Sequence, residues 1–173
     1  MTPRIILAVM CSGVTAAALP PRIGVAPGLV WNVSASVPIG FYLVMPPDHL
    51  QVTDLVVVEP QRAVADFLAE RSYLPRGVPL LKRVLALPGQ TVCRRNLTII
   101  VDGIEVGAAR ESDHLGRALP VWQGCRSIAD DMIFVMNWQS PNSLDGRYFG
   151  PTPITSIVGR ATPLWTTEEA TEE

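Results

Sequence analysis

Ser36 and Lys82 are the two side chains whose type and setting suit covalent chemistry. Ser36 stands in the segment Asn32-Val-Ser34-Ala-Ser36-Val-Pro38-Ile-Gly40-Phe-Tyr42. Pro38 fixes its own φ and Gly40 permits a sharp bend, so the serine hydroxyl rides on a constrained turn. Such a turn projects an Oγ and leaves a backbone N–H free to bind an oxyanion. Lys82 is the only lysine among 14 basic residues, the rest being arginine. Arginine keeps its proton in a protein, whereas a buried lysine can lose it. If Leu80 to Leu87 is a strand, Lys82 shares a face with Leu80, Val84 and Ala86 while Arg83 points the other way. Desolvation on that apolar face lowers the pKa, and a neutral amine can then act as general base for a serine.

A third segment, Asn142-Ser143-Leu-Asp145-Gly-Arg147-Tyr148-Phe-Gly150-Pro151, offers an acid and a base two positions apart. In an extended backbone they can pair on one side, with Ser143 beside them. Taken singly, each segment also fits a plainer reading. The first is then an ordinary loop, the second an edge strand with a snorkelling lysine, and the third a polar loop. The two histidines, His49 and His114, are scattered and flank no serine convincingly. No phosphate-binding loop, dinucleotide fingerprint or paired-histidine zinc helix is present, so neither cofactor nor metal is expected.

The elements that must position these groups read mostly as short strands. Phe41–Met45, Asp54–Glu59, Leu80–Leu87, Leu97–Val101, Ile104–Val106, Met132–Met136 and Ile154–Thr162 are β-rich runs bounded by Pro, Gly, Asp and Asn. Asp102-Gly103 between two of them marks a tight hairpin. One helix is expected over Arg62–Ser72, with Ala63, Phe67 and either Val64 or Leu68 on one face. The expected class is all-β, with long loops and one or two short helices. Cys93 and Cys125 lie in this body; in an oxidising compartment they are expected to form a disulfide, and otherwise to be two buried thiols.

With 173 residues the chain supports one core domain plus an anchor and a tail. An apolar content of 48% against 17% charged excludes disorder, and a net charge of −2 gives no footprint for nucleic acid. Ile5 to Leu19 carries no charge and ends at Pro20-Pro21. It is short for a span, which takes about 20 residues. It reads as a retained anchor, with a cleaved signal segment or a core helix as alternatives. The expected division is therefore an anchor over 1–22, a β domain over 23–165 and an acidic tail over 166–173, where Glu168, Glu169, Glu172 and Glu173 cluster. Leu29, Val30, Trp31 and Phe41 suit a membrane interface, and equally a core.

In this order the three segments resemble the boxes of the serine–lysine signal peptidase family, in the TraF-type form found in conjugative transfer. Ser36-x-Pro38-x-Gly40-Phe-Tyr42 is similar to that branch's serine box. Lys82-Arg83-Val84 with Pro88-Gly89 is similar to the lysine box, and Asn142-Ser143-x-Asp145-x-Arg147-Tyr148 with Gly150 to the terminal box. The resemblance implies a signal-peptidase-like β domain with Ser36 as nucleophile and Lys82 as base. It further implies that Ser34 supports the oxyanion site, that Ser143 orients the lysine, and that Asp145 and Arg147 form a supporting ion pair. Where many relatives carry a Gly-Asp-Asn run before the terminal box, this chain has Asn137-Trp-Gln-Ser-Pro141.

The substrate implied is a peptide, a pilin precursor that is cut or cyclised. The setting implied is the bacterial inner membrane, with the catalytic domain in the periplasm beside the conjugative machinery. A soluble periplasmic form is the alternative if the first segment is removed. A signal peptidase of broad range and an inactive periplasmic β domain of a secretion channel are the other readings of the chain.

Overall fold

The computed structural model describes residues 28–167; the expected anchor and most of the acidic tail lie outside the described residues. Strand β1 (Leu29–Asn32) and β2 (Gly40–Met45) form a hairpin, followed by β3 (Leu55–Val58), helix α1 (Arg62–Glu70) and β4 (Leu80–Ala86). Strands β5 (Thr91–Arg95), β6 (Thr98–Val101), β7 (Ile104–Ala108) and β8 (Gly124–Ser127) come next. The chain then returns through β9 (Met132–Val135), a one-turn helix α2 (Gly146–Phe149), β10 (Thr152–Pro153) and β11 (Ile157–Thr166). The described residues are mainly β, with two short α-helices.

Two sheets result. The larger runs β1-β2-β11-β3-β4-β9-β10, and the smaller β7-β6-β5-β8. The pairs are antiparallel, and three hydrophobic clusters occupy their buried faces. Strand β3, Leu-Val-Val-Val, is buried on both faces because it lies centrally between β11 and β4. In β2 burial alternates strictly: Tyr42 and Val44 face inward while Phe41, Leu43 and Met45 are exposed. The β6–β7 hairpin turns on Asp102 and Gly103, both at positive φ (48° and 86°), as a two-residue turn of this twist requires.

Two boundaries differ notably from the sequence expectation. The helix stops at Glu70, where Ser72 takes a positive φ of 59°. The run from Ile154 opens with a 3₁₀ turn, Ile154–Ser156, before β11 begins at Ile157. That turn's carbonyl at Ser156 accepts the Glu59 N–H (2.8 Å), tying the return strand to the end of β3. Strands β1, β5 and β8 carried no strand signal in the sequence reading. β5 (Thr-Val-Cys-Arg-Arg) forms because Val92, Cys93 and Arg94 are all buried in the small sheet, Arg94 by bonding backbone carbonyls. Cys93 and Cys125 oppose each other directly across β5 and β8 and are joined in a disulfide.

The outer face of the β1–β2–β11 edge is apolar. Leu29, Trp31, Phe41, Leu43, Met45 and Trp165 are all exposed there. Trp31 packs on Phe41 (centroids 4.5 Å) and stacks on Trp165 (6.3 Å).

Candidate active site

The loop between β1 and β2 holds Ser36, and Asn32 fixes its shape. The Asn32 side chain is buried and donates through Nδ2 to the carbonyls of Ser34 (2.8 Å), Pro38 (3.0 Å) and Val37 (3.1 Å). Its Oδ1 accepts the Ser34 N–H at 3.1 Å. Tyr42 donates its hydroxyl to the Pro38 carbonyl at 2.6 Å, closing the same loop from below. Gly40 ends it where β11 passes close; a Cβ there would collide with the Trp165 carbonyl oxygen. With the Ser34, Val37 and Pro38 carbonyls bonded inward, the turn holds its hydroxyls outward. Ser34 and Ser36 stand on that outer side, their Oγ atoms 2.9 Å apart.

Lys82 sits in the middle of β4, opposite Val56 of β3. It is 4% exposed, among Leu80, Val84 and Ala86 on the strand face its alternation predicts. Burial lowers its amine from the ordinary 10.5 to about 8; Asp145 opposes this, and Arg147 adds to it. Its Nζ donates to Ser143 Oγ at 2.8 Å. Ser34, Ser36, Lys82 and Ser143 line one cleft of about 360 Å³, whose apolar wall is supplied by Leu68 of α1 and Leu74 just beyond it.

Asp145 and Arg147 form a fully buried ion pair, with Nη2–Oδ2 at 2.9 Å and Nε–Oδ1 at 2.9 Å. The fork also donates to the carbonyls of Ser140 (2.7 Å), Ser143 (3.1 Å) and Asn137 (3.3 Å). One guanidinium thus gathers the whole 137–147 loop and sets Ser143 against the lysine. Asp145 caps α2, accepting from the Arg147 N–H at 3.2 Å. Gly146 lets α2 press on β9, since a Cβ would lie 2.7 Å from both the Phe134 ring and the Val135 carbonyl. All six residues singled out for the site therefore converge. Ser34, Ser36, Lys82 and Ser143 line the cleft, and Asp145 with Arg147 lies beneath it.

Two residues that sequence reasoning left without a role belong here. Asn32 locks the serine loop, and its signal was an asparagine closing an apolar strand just ahead of the serines. Asn137 is 2% exposed and bonds both the lysine strand and the ion pair. Neither histidine approaches the cleft lining, and among the described residues no group of three or more His, Cys, Asp or Glu is placed to hold a metal.

A serine and a desolvated lysine thus share one cleft on a two-sheet β domain. Comparison with known proteins shows the family. The model of the signal peptidase family, peptidase S26, matches residues 4–165. The conjugal transfer protein TraF of Agrobacterium fabrum is 35% identical over 153 residues, covering 83% of this chain and 85% of its own. The plasmid transfer protein TraF of Escherichia coli is 31% identical over 172 residues, covering 94% of this chain and 96% of its own. A signal peptidase I of Enterococcus faecalis is similar in structure over 67% of this chain and 99% of its own, at 21% identity and a TM-score of 0.40. The chain belongs to the S26 signal peptidase family, in its TraF-type branch.

Proposed function

We propose that the chain is a membrane-anchored serine endopeptidase that uses Ser36 and Lys82 to mature a pilin precursor for conjugative transfer. The observation that carries this reading is the Lys82 amine, buried, brought down to about 8 and bonded to Ser143 Oγ, in the cleft that also exposes Ser36. A lysine kept at such cost without a carboxylate on its Nζ suits proton abstraction better than structural support.

In the proposed reaction neutral Lys82 takes the Ser36 hydroxyl proton as Oγ attacks the scissile carbonyl carbon. The Ser36 N–H and the Ser34 hydroxyl receive the oxyanion. As the C–N bond breaks, the Lys82 ammonium returns its proton to the leaving amine, leaving an acyl ester on Ser36. Water attacks that ester to give a cut peptide, or the precursor's own amine attacks it to give a ring; Lys82 takes the attacking group's proton and returns it to Ser36 Oγ as the ester C–O bond breaks. Asp145 and Arg147 hold the loop that aims Ser143 at Lys82.

The likeness to transfer proteins named TraF supports a substrate within the conjugative machinery. The exposed aromatic face on β1, β2 and β11 supports work at a membrane surface, where tryptophan is favoured. The Cys93–Cys125 disulfide supports an oxidising compartment, hence a catalytic domain in the periplasm. The test is processing of the cognate pilin precursor by the membrane-bound full chain, beside Ser36→Ala and Lys82→Arg. Loss of at least a thousandfold in both is expected, since Lys82→Arg keeps the charge but removes the base. Processing by either variant at the native rate overturns the dyad, and processing of general secretory precursors at the same rate overturns the substrate.

A further inference from the structure

Strand β9 leaves β4 just where β4 carries the lysine. The two strands pair through Ala86 with Phe134 and Val84 with Val135, and the Met136 N–H donates to the Arg83 carbonyl at 2.8 Å. One residue later the backbone has turned away. The Asn137 N–H donates to Asp145 Oδ2 (3.1 Å), and its carbonyl accepts from Arg147 Nη2 (3.3 Å). The β4 groups on either side of Lys82, the Leu81 carbonyl and the Arg83 N–H, would then lack partners inside the protein, and a buried polar group left unpaired is destabilising.

The Asn137 side chain fills that gap. Its Oδ1 accepts the Arg83 N–H at 2.9 Å and its Nδ2 donates to the Leu81 carbonyl at 3.1 Å. A primary amide presents one acceptor and one donor, as a peptide unit does. The side chain therefore stands in for the strand that left and completes the ladder across Lys82. Its backbone meanwhile joins the Asp145–Arg147 pair. Asn137 thus bonds β4 on both sides of the lysine and also bonds both members of the ion pair.

We propose that Asn137 is a positioning residue for Lys82: by mimicking the missing peptide unit it lets the chain turn out toward Ser143 while keeping the lysine strand closed to water. The inference rests on the reading of Lys82 as the base. The charged groups facing the amine are Asp145, which favours its protonated form, and Arg147, which opposes it. β3 contributes Val56 and β9 Val135, and the serine loop contributes hydroxyls only. Arg83 points to the opposite side, where its guanidinium donates to the Thr53 carbonyl (3.1 Å). Burial is the largest influence on the amine, so opening this seam to water raises its pKa toward that of a free lysine.

The test uses Asn137→Ala and the near-isosteric Asn137→Leu in the full chain. Because Lys82 is the only lysine, trace acetylation mapped by mass spectrometry reads its titration directly, apart from activity. The expected result is a Lys82 midpoint raised by about one pH unit in both variants. Processing kcat/KM should fall about tenfold near pH 7 and recover as pH rises, because each unit removes that much neutral amine. A folded variant whose Lys82 midpoint and pH profile match the native protein overturns the proposal. So does failure of both variants to fold, which would make the role one of stability alone. If Lys82→Arg retains activity the dyad fails, and the acetylation midpoint still decides the role of Asn137.

Discussion

At the scale of single residues, Lys82 burdens the fold that it serves. In the unfolded chain its amine titrates near 10.5, and in the folded protein near 8. Below pH 8 both states hold the proton, and the full cost of burying an ammonium falls on the native state. Between pH 8 and 10.5 the unfolded state binds more protons than the folded one, so stability rises with pH through that window. The gap is worth about 3 kcal/mol. Lys82→Met, similar in length and uncharged, is therefore expected to unfold at higher urea than the native protein at pH 7, by up to that amount. Its advantage should shrink by pH 10 while its processing is abolished. Urea titrations at the two pH values check this, and a variant less stable at pH 7 would show that the lysine supports the fold. Lys82 was legible in the sequence because a single lysine on an alternating apolar run is rare and local. Asn137 was not, because its amide works only once β9 has turned away from a strand more than 50 positions earlier in the chain.

At the scale of elements, the site depends on a helix of one turn. Helix α2 could not stand alone in water. It is held by Asp145 at its start, by the Trp122 indole donating to the Gly146 carbonyl (3.0 Å), and by Arg94 donating to the Arg147 carbonyl (2.6 Å). Through Arg94 of β5, and Trp122 just ahead of β8, the small sheet and its flank thus grip the element that carries the ion pair. Arg147→Met should cost about 3–5 kcal/mol, because it strands the Asp145 carboxylate in the interior and releases three loop carbonyls. Chemical denaturation measures it, and a loss below about 1 kcal/mol would mean the pair is replaceable. The sequence showed the Asp-x-Arg spacing but in an extended segment; the helix arises because Gly146 fits under Phe134, a tertiary fact. β2, β4 and the Asp102-Gly103 hairpin were plain because alternation and turn chemistry are local. β5 was hidden because its Arg94 reads as a surface residue and is in fact 1% exposed.

At the scale of the whole molecule, the two sheets have different tasks. The larger sheet carries the serine loop, the lysine and the aromatic edge. The smaller sheet is closed by the Cys93–Cys125 bridge and supports α2 from behind. Replacing both cysteines by alanine should lower stability by about 2–4 kcal/mol, the usual range for a native disulfide. Denaturation of the native protein with and without reductant should show the same difference, while reductant leaves the double variant unchanged. Equal stability throughout would mean that the bridge adds nothing to the fold.

Covalent labelling tests, without any precursor, whether Lys82 makes Ser36 nucleophilic. The full chain is treated with a small activated ester, and the acyl adduct is located and its rate followed by mass spectrometry from pH 6 to 10. The prediction is a single adduct on Ser36 whose rate rises through a midpoint near 8 and vanishes in Lys82→Arg. An adduct elsewhere, or one on Ser36 that forms as fast in Lys82→Arg, would contradict it.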